Sequence, residues 1–164
     1  MENRIRSDYT KSLHDLQDGL LILGSMVEKA IHKSMQSLKE RDLQLAQTVI
    51  AEDDLIDQKR FELENSAVTL LATQSPIAAD LRLIISALHI AVELERMGDY
   101  AEGIARISQT IGAQPTLKPL IDLPKMTELA TTMLHKSLTA YTNRDTELAI
   151  DVCKSDDAVD SLYS

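Results

Sequence analysis

The chain has 164 residues, 44% of them apolar but only 3% aromatic and none of them Trp, a balance that supports an aliphatic core and argues against a β-rich fold. A net charge of −9 with no basic stripe argues against nucleic acid as a partner and leaves cations or a basic protein surface. Cys153 is the only cysteine, the N-terminus lacks the apolar run of a signal peptide, and Asp80, Arg82 and His89 interrupt the most apolar stretch, so a soluble cytoplasmic protein is expected.

In chain order, the first predicted helix runs from about Ser7 to Lys39. Its apolar positions Leu13, Leu16, Leu20, Leu23, Val27, Ala30 and Leu38 recur at threes and fours. Gly19 and Gly24 either weaken it or admit another helix closely, and the sequence leaves both open. A short polar turn follows, with Asp42 suited to cap the next helix. That second helix, from about Leu43 to Thr73, carries the line Ala46, Ile50, Asp53, Asp57, Phe61, Glu64, Val68, Leu71. Its apolar stripe is interrupted midway by two carboxylates one turn apart.

The third predicted helix covers Pro76 to Ile107, with Ser75 as its cap and Pro76 in its first turn. Two adjacent rows, Leu81–Leu88–Glu95–Glu102 and Ile84–Ala91–Gly98–Ala105, form an inward stripe. Here too leucine gives way to a carboxylate, Glu95, with Asp99 one turn beyond. Carboxylates at i and i+4 repel by roughly 0.2–0.5 kcal/mol on a bare helix, and burying them unpaired costs far more. Three long helices with tight connections pack up-down-up, which places Asp53/Asp57 and Glu95/Asp99 at similar heights.

Residues 113–124 hold three of the four prolines and read as a linker between a first unit, 1–112, and a second, 125–164. Helices are expected again from about Lys125 to Thr142 and from about Asp145 to the end. At a constant offset of 103 these last two helices copy the first two. His32-Lys33-Ser34 falls on His135-Lys136-Ser137, Arg41-Asp42 on Arg144-Asp145, Leu45-Ala46 on Leu148-Ala149, and Val49 on Val152. Asp53-Asp54 falls on Asp156-Asp157 and Asp57 on Asp160, eleven identities without a gap. A duplicated helical unit accounts for this. The second copy is incomplete: Asp156 and Asp160 call for a third helix with its own acidic pair, supplied by chain beyond Ser164, the preferred expectation, or by another chain.

The D-x-x-x-D of Asp53 and Asp57, the E-R-x-G-D of Glu95, Arg96, Gly98 and Asp99, and the stretch QSPIAADLRLIISALHIAVELERMGDYA from Gln74 to Ala101 closely resemble the PhoU family. The resemblance implies an all-α, up-down bundle of duplicated three-helix units, self-association as a homodimer, and no enzymatic activity. It also implies negative regulation of the phosphate-starvation response, coupling a phosphate ABC transporter and its ATPase to a sensor histidine kinase, with membrane association only through those partners. Some members of that family hold multinuclear metal clusters on these motifs. Carried over, the ligands are Asp53, Asp57, Glu95 and Asp99 in the first unit and Asp156 and Asp160 in the second, with iron the first expectation and Mn, Mg or Zn the alternatives.

The residues themselves weigh in the same direction. All-oxygen donors favour hard or borderline cations, and no His inside either motif disfavours zinc. The competing interpretation is a solvated acidic face, or pairing with Arg60, Arg82 or Arg96. Gly98 costs about 1 kcal/mol in a helix and suggests a close helix contact. His32 and His135 are expected to be exposed or capping, and Met26, Met35 and Met133 to be core. A di-metal oxidase would show Glu-x-x-His, and a nucleotide enzyme a Gly-rich loop; neither is present. A metal-dependent hydrolase and a plain helical scaffold stand as the alternatives to a regulator.

Overall fold

A computed structural model describes residues 2–114 and 120–163, with side chains described from residue 8 onward. The described residues form five helices and no strand: α1 (Glu2–Glu40), α2 (Leu43–Gln74), α3 (Ala78–Ile111), α4 (Asp122–Asn143) and α5 (Thr146–Tyr163). Helices α1, α2 and α3 pack against one another, α4 packs on α1 and α5, and among the described residues α5 comes into close backbone contact with α4 alone.

One core runs through both parts. Leu16, Leu20, Leu23 and Val27 of α1 meet Ile56, Leu63 and Leu70 of α2 and Ile84, Ala91 and Leu94 of α3, and the cluster continues into Leu134 and Leu138 of α4. Full burial of such an aliphatic side chain contributes about 1.5–3 kcal/mol, so this seam sets the helix register. Two hydroxyls tie helices together at the same end: Tyr9 donates to Asp80 at 3.1 Å and Tyr141 donates to the Leu83 carbonyl at 3.0 Å.

The repeat is visible down to individual hydrogen bonds. Arg41 and Arg144 both take left-handed backbone, φ 60° and φ 55°. The Asp42 amide donates to the Ser37 carbonyl and the Asp145 amide to the Ala140 carbonyl, the same bond displaced by one repeat. Asp42 caps α2 by accepting from the Gln44 and Leu45 amides, and Asp145 accepts from the Leu148 amide. The burial differs. Ser34 and Ala46 are sealed by the first unit, whereas their equivalents Ser137 and Ala149 are exposed and line two adjoining open grooves along α4 and α5, of ≈ 510 Å³ and ≈ 620 Å³. Met133 lines the first of these grooves, while Met35 is buried and Met26 packs on the core as expected.

Two helix starts differ from the sequence expectation. Ser75 does not cap α3; it closes α2 in left-handed backbone at φ 46°, Pro76 lies in the connection, and α3 begins at Ala78 behind an extended Ile77. Conversely α4 starts at Asp122, so Pro124 falls inside its first turn, where its missing N–H breaks no intrahelical bond. The rest of the expected linker, 115–119, lies outside the described residues.

The structure decides the question raised by the α1 glycines. A Cβ on Gly19 would overlap Leu63 of α2, and a Cβ on Gly24 would overlap Leu138 of α4. Both are close-approach positions. Overpacking a tight contact costs typically 1–3 kcal/mol. Gly24→Val is therefore expected to speed amide hydrogen exchange in α4 and α5 while leaving α2 and α3 protected; uniform loss of protection would contradict this.

Candidate functional site

The core-facing positions of α2 and α3 are buried: Ile56, Leu63 and Ala67 on one, Ala91, Leu94, Gly98 and Ala101 on the other. One residue further on, each helix carries its acidic row. Asp57 follows Ile56, Glu95 follows Leu94, Asp99 follows Gly98 and Glu102 follows Ala101. A step of one residue turns a helix by about 100°, so these carboxylates point to the groove between α2 and α3 on the side away from the core.

Gly98 sets the spacing. A Cβ there would lie 3.1 and 3.2 Å from the Ile56 methyl carbons and 3.5 Å from Asp53 Oδ1, so the α3 backbone lies directly against the acidic turn of α2. The four residues singled out by the sequence, Asp53, Asp57, Glu95 and Asp99, are thus brought together. Glu102 joins them: of the neighbouring charges it acts most strongly on Asp53, ahead of Asp57 and Asp99. Its place on the Leu81–Leu88–Glu95 row was the available signal.

Electrostatically the cluster is under-neutralised. Burial first, and then the charges of Glu102, Asp57, Asp99 and Asp54, push the Asp53 carboxyl up to about 6. Glu95 is also raised, by burial and by Asp99, with Arg60 pulling the other way. Arg60 stands at the edge of the site, 2.8 Å from Glu64 and 3.8 Å from Glu95, with its guanidinium 3.9 Å from the Phe61 ring centroid. Its buried Nε has no hydrogen-bond partner among the described residues. Arg106 pairs with Glu102. Arg96, inside the motif, pairs instead with Glu93 on the exposed face at 2.8 Å, and Arg82 lines a groove beside α4.

The second-unit carboxylates stand elsewhere. Asp156 and Asp160 are exposed on α5, which does not approach α2, and Asp156 lines the groove opposite His89 and Glu93 of α3. His32 and His135 are exposed and share a groove of ≈ 320 Å³ between α1 and α4, away from both motifs. Among the described residues no three His, Cys, Asp or Glu side chains are gathered closely enough to hold a metal ion. The α2/α3 cluster has the donor chemistry of a hard-cation site, but not, in these rotamers, its geometry.

The PhoU domain profile matches residues 20–108 and 123–164. This chain belongs to the PhoU family. A phosphate-specific transport system accessory protein PhoU homolog of Clostridium acetobutylicum is 38% identical over 159 residues, covering 96% of this chain and 73% of its own length. The Aquifex aeolicus protein of the same name is 35% identical over 153 residues, covering 93% and 69%. Crystal structures of PhoU from Pseudomonas aeruginosa and of the phosphate transport system regulatory protein PhoU from Streptococcus pneumoniae superpose with TM-scores of 0.89 and 0.87. These share 31% and 30% identity, cover 94% of this chain in each case, and are themselves covered to 75% and 73%. As a PhoU-family bundle, the chain has among its described residues no helix long and apolar enough to cross a membrane.

The raised Asp53 carboxyl carries a pH signature. A group bound to its proton more tightly in the folded state costs stability as pH rises from the unfolded value, near 4, through about 6. In chelator-treated protein Asp53→Asn is expected to raise the Tm at pH 7.5, with the gain shrinking toward pH 4. A Tm difference that is constant across this window would contradict the assignment.

Proposed function

We propose that this PhoU-family chain is a cytoplasmic accessory regulator of a phosphate-specific transport system. It acts by contact rather than by catalysis, engaging the transporter through its ATPase and restraining a sensor histidine kinase when phosphate is plentiful, with self-association as a homodimer part of the same assignment. The supporting observation is relatedness over nearly the whole chain to proteins named as accessory or regulatory components of phosphate transport.

The acidic cluster is proposed to take a hard or borderline cation, iron or manganese before zinc. Asp53, Asp57, Glu95 and Asp99 would hold it, with Glu102 adjoining, and the ion would supply the positive charge whose shortage raises Asp53. Binding requires these partly exposed side chains to swing together. Asp156 and Asp160 are proposed as half of an equivalent site, completed only where a further acidic helix meets α5.

Two measurements test this. Equilibrium dialysis against iron, manganese and zinc, followed by elemental analysis, is expected to show stoichiometric metal that Asp57→Asn abolishes. At a hundredfold excess over Kd the ion should stabilise the fold by about 2.7 kcal/mol, read as a Tm rise that the variant lacks. For the regulatory assignment, wild-type protein is expected to retain the transporter ATPase in a pull-down and Glu95→Ala or Asp99→Ala to lose it. Phosphate-ester turnover with added metal, or retention unaffected by both variants, would instead favour a hydrolase or an inert scaffold.

A further inference from the structure

The groove between α2 and α3 continues past the acidic cluster, and there it turns apolar. On the row that carries Asp53 and Asp57 stand Phe61 and Val68, each 52% exposed, with the exposed Glu64 between them tied to Arg60 at 2.8 Å. On the row that carries Glu95 and Asp99 stand Leu81 and Ile85, each 40% exposed, and Val92, 45% exposed. Gly98 of α3 lies against Ile56 and Asp53 of α2, and Arg60 of α2 stands 3.8 Å from Glu95 of α3, so the two rows converge on one side of the bundle. The same helical spacing carries that convergence into the apolar half. From Leu81 to Glu102 the groove is about 30 Å long at 1.5 Å per residue, and its apolar half spans about three turns. Arg60 marks the boundary, stacked on Phe61 and facing Glu95.

We propose that this groove docks an amphipathic helical segment of another protein, apolar along one side and bearing lysine or arginine at the end that meets Asp53, Asp57, Asp99 and Glu102. Exposed aliphatic side chains grouped in one groove mark an interaction site, whereas scattered ones do not. A helix laid in a groove reads such a surface through anchors at i, i+3, i+4 and i+7. Charge selects the occupant. Five carboxylates face two arginines, Arg60 and Arg106, so the acidic end needs basic groups that the chain itself does not bring. A second copy is disfavoured. A two-fold pairing through this groove sets acid against acid or acid against the apolar half, and each chain carries a net charge of −9. An anionic lipid surface is repelled by the same carboxylates. An ion at the acidic end would compete with the basic end of the segment for the same carboxylates, so the docking is expected in chelator-treated protein.

The test uses the full chain and a synthetic 18-residue helical peptide with leucines at heptad spacing, lysines at one end, a fluorescein label and a photoreactive benzoylphenylalanine. Fluorescence anisotropy in EDTA is expected to show binding that Ile85→Ser and Val92→Ser each weaken about tenfold. Asp99→Asn should weaken it too and flatten its salt dependence, and Asp18→Asn, at an exposed carboxylate of α1, should leave it unchanged. These positions are exposed, so the fold is expected to survive; circular dichroism checks this. Photo-crosslinks should map to α2 and α3. Crosslinks confined to the α4/α5 groove, equal binding of a sequence-scrambled peptide, or binding only when manganese is added would overturn the proposal. So would a dimer in sedimentation that Ile85→Lys dissolves, or binding to phosphatidylserine vesicles that Val92→Ser abolishes. Absence of metal in the dialysis experiment defeats the metal assignment alone and leaves this one standing.

Discussion

Everything distinctive about this molecule follows from a seam of small and aliphatic side chains between α2 and α3. Ile56 packs where Gly98 has no Cβ, which brings the two backbones close at the acidic turn, and alanines at 67, 87, 91 and 101 are buried in the same core. The acidic rows lie one residue out of phase with that seam. Packing the seam therefore forces like charges toward each other, and the apolar burial that holds the bundle offsets the repulsion. The cluster is a strained by-product of good packing unless something positive is recruited to it.

That shortage of positive charge connects the proposed roles. A cation would neutralise the acidic end from solution, and basic side chains of a docked segment would do so from a partner; both draw on the same uncompensated potential. The arginines on hand are too few, and Arg106 is taken up by Glu102. Arg96 is bound to Glu93 on the outer face, and Arg60 is shared among Glu64, Glu95 and the Phe61 ring. Charge placement thus makes the site available to ligands rather than self-satisfied.

The two halves of the repeat show how much depends on the third helix. The turn, its left-handed arginine and its aspartate cap are reproduced almost bond for bond. The acidic motif is reproduced in sequence only. Asp53 and Asp57 meet α3, while Asp156 and Asp160 stand on an exposed face with no equivalent of α3 among the described residues. The same residue type at the same register becomes part of a cluster in one copy and a surface group in the other.

Periodicity, the offset of 103 and the two acidic spacings were legible in the residues alone, because they are properties of single helices: which positions share a face and where a cap or a turn belongs. Those suffice for an all-α duplicated bundle and for four of the five clustered carboxylates. Glu102 stood on the same inward row as Glu95, but only the placement of α2 showed that it joins the cluster. Gly24 likewise could not be told from a helix weakener until Leu138 of α4 filled the space of its absent Cβ. Ser75 had the composition of a cap but lay on the wrong side of the turn, since the left-handed backbone that ends α2 is a matter of geometry rather than residue type. Local pattern decided the elements and their faces. Only the packed structure decided which faces meet, because that depends on the relative rotation of helices, which the apolar seam sets and no single stretch encodes.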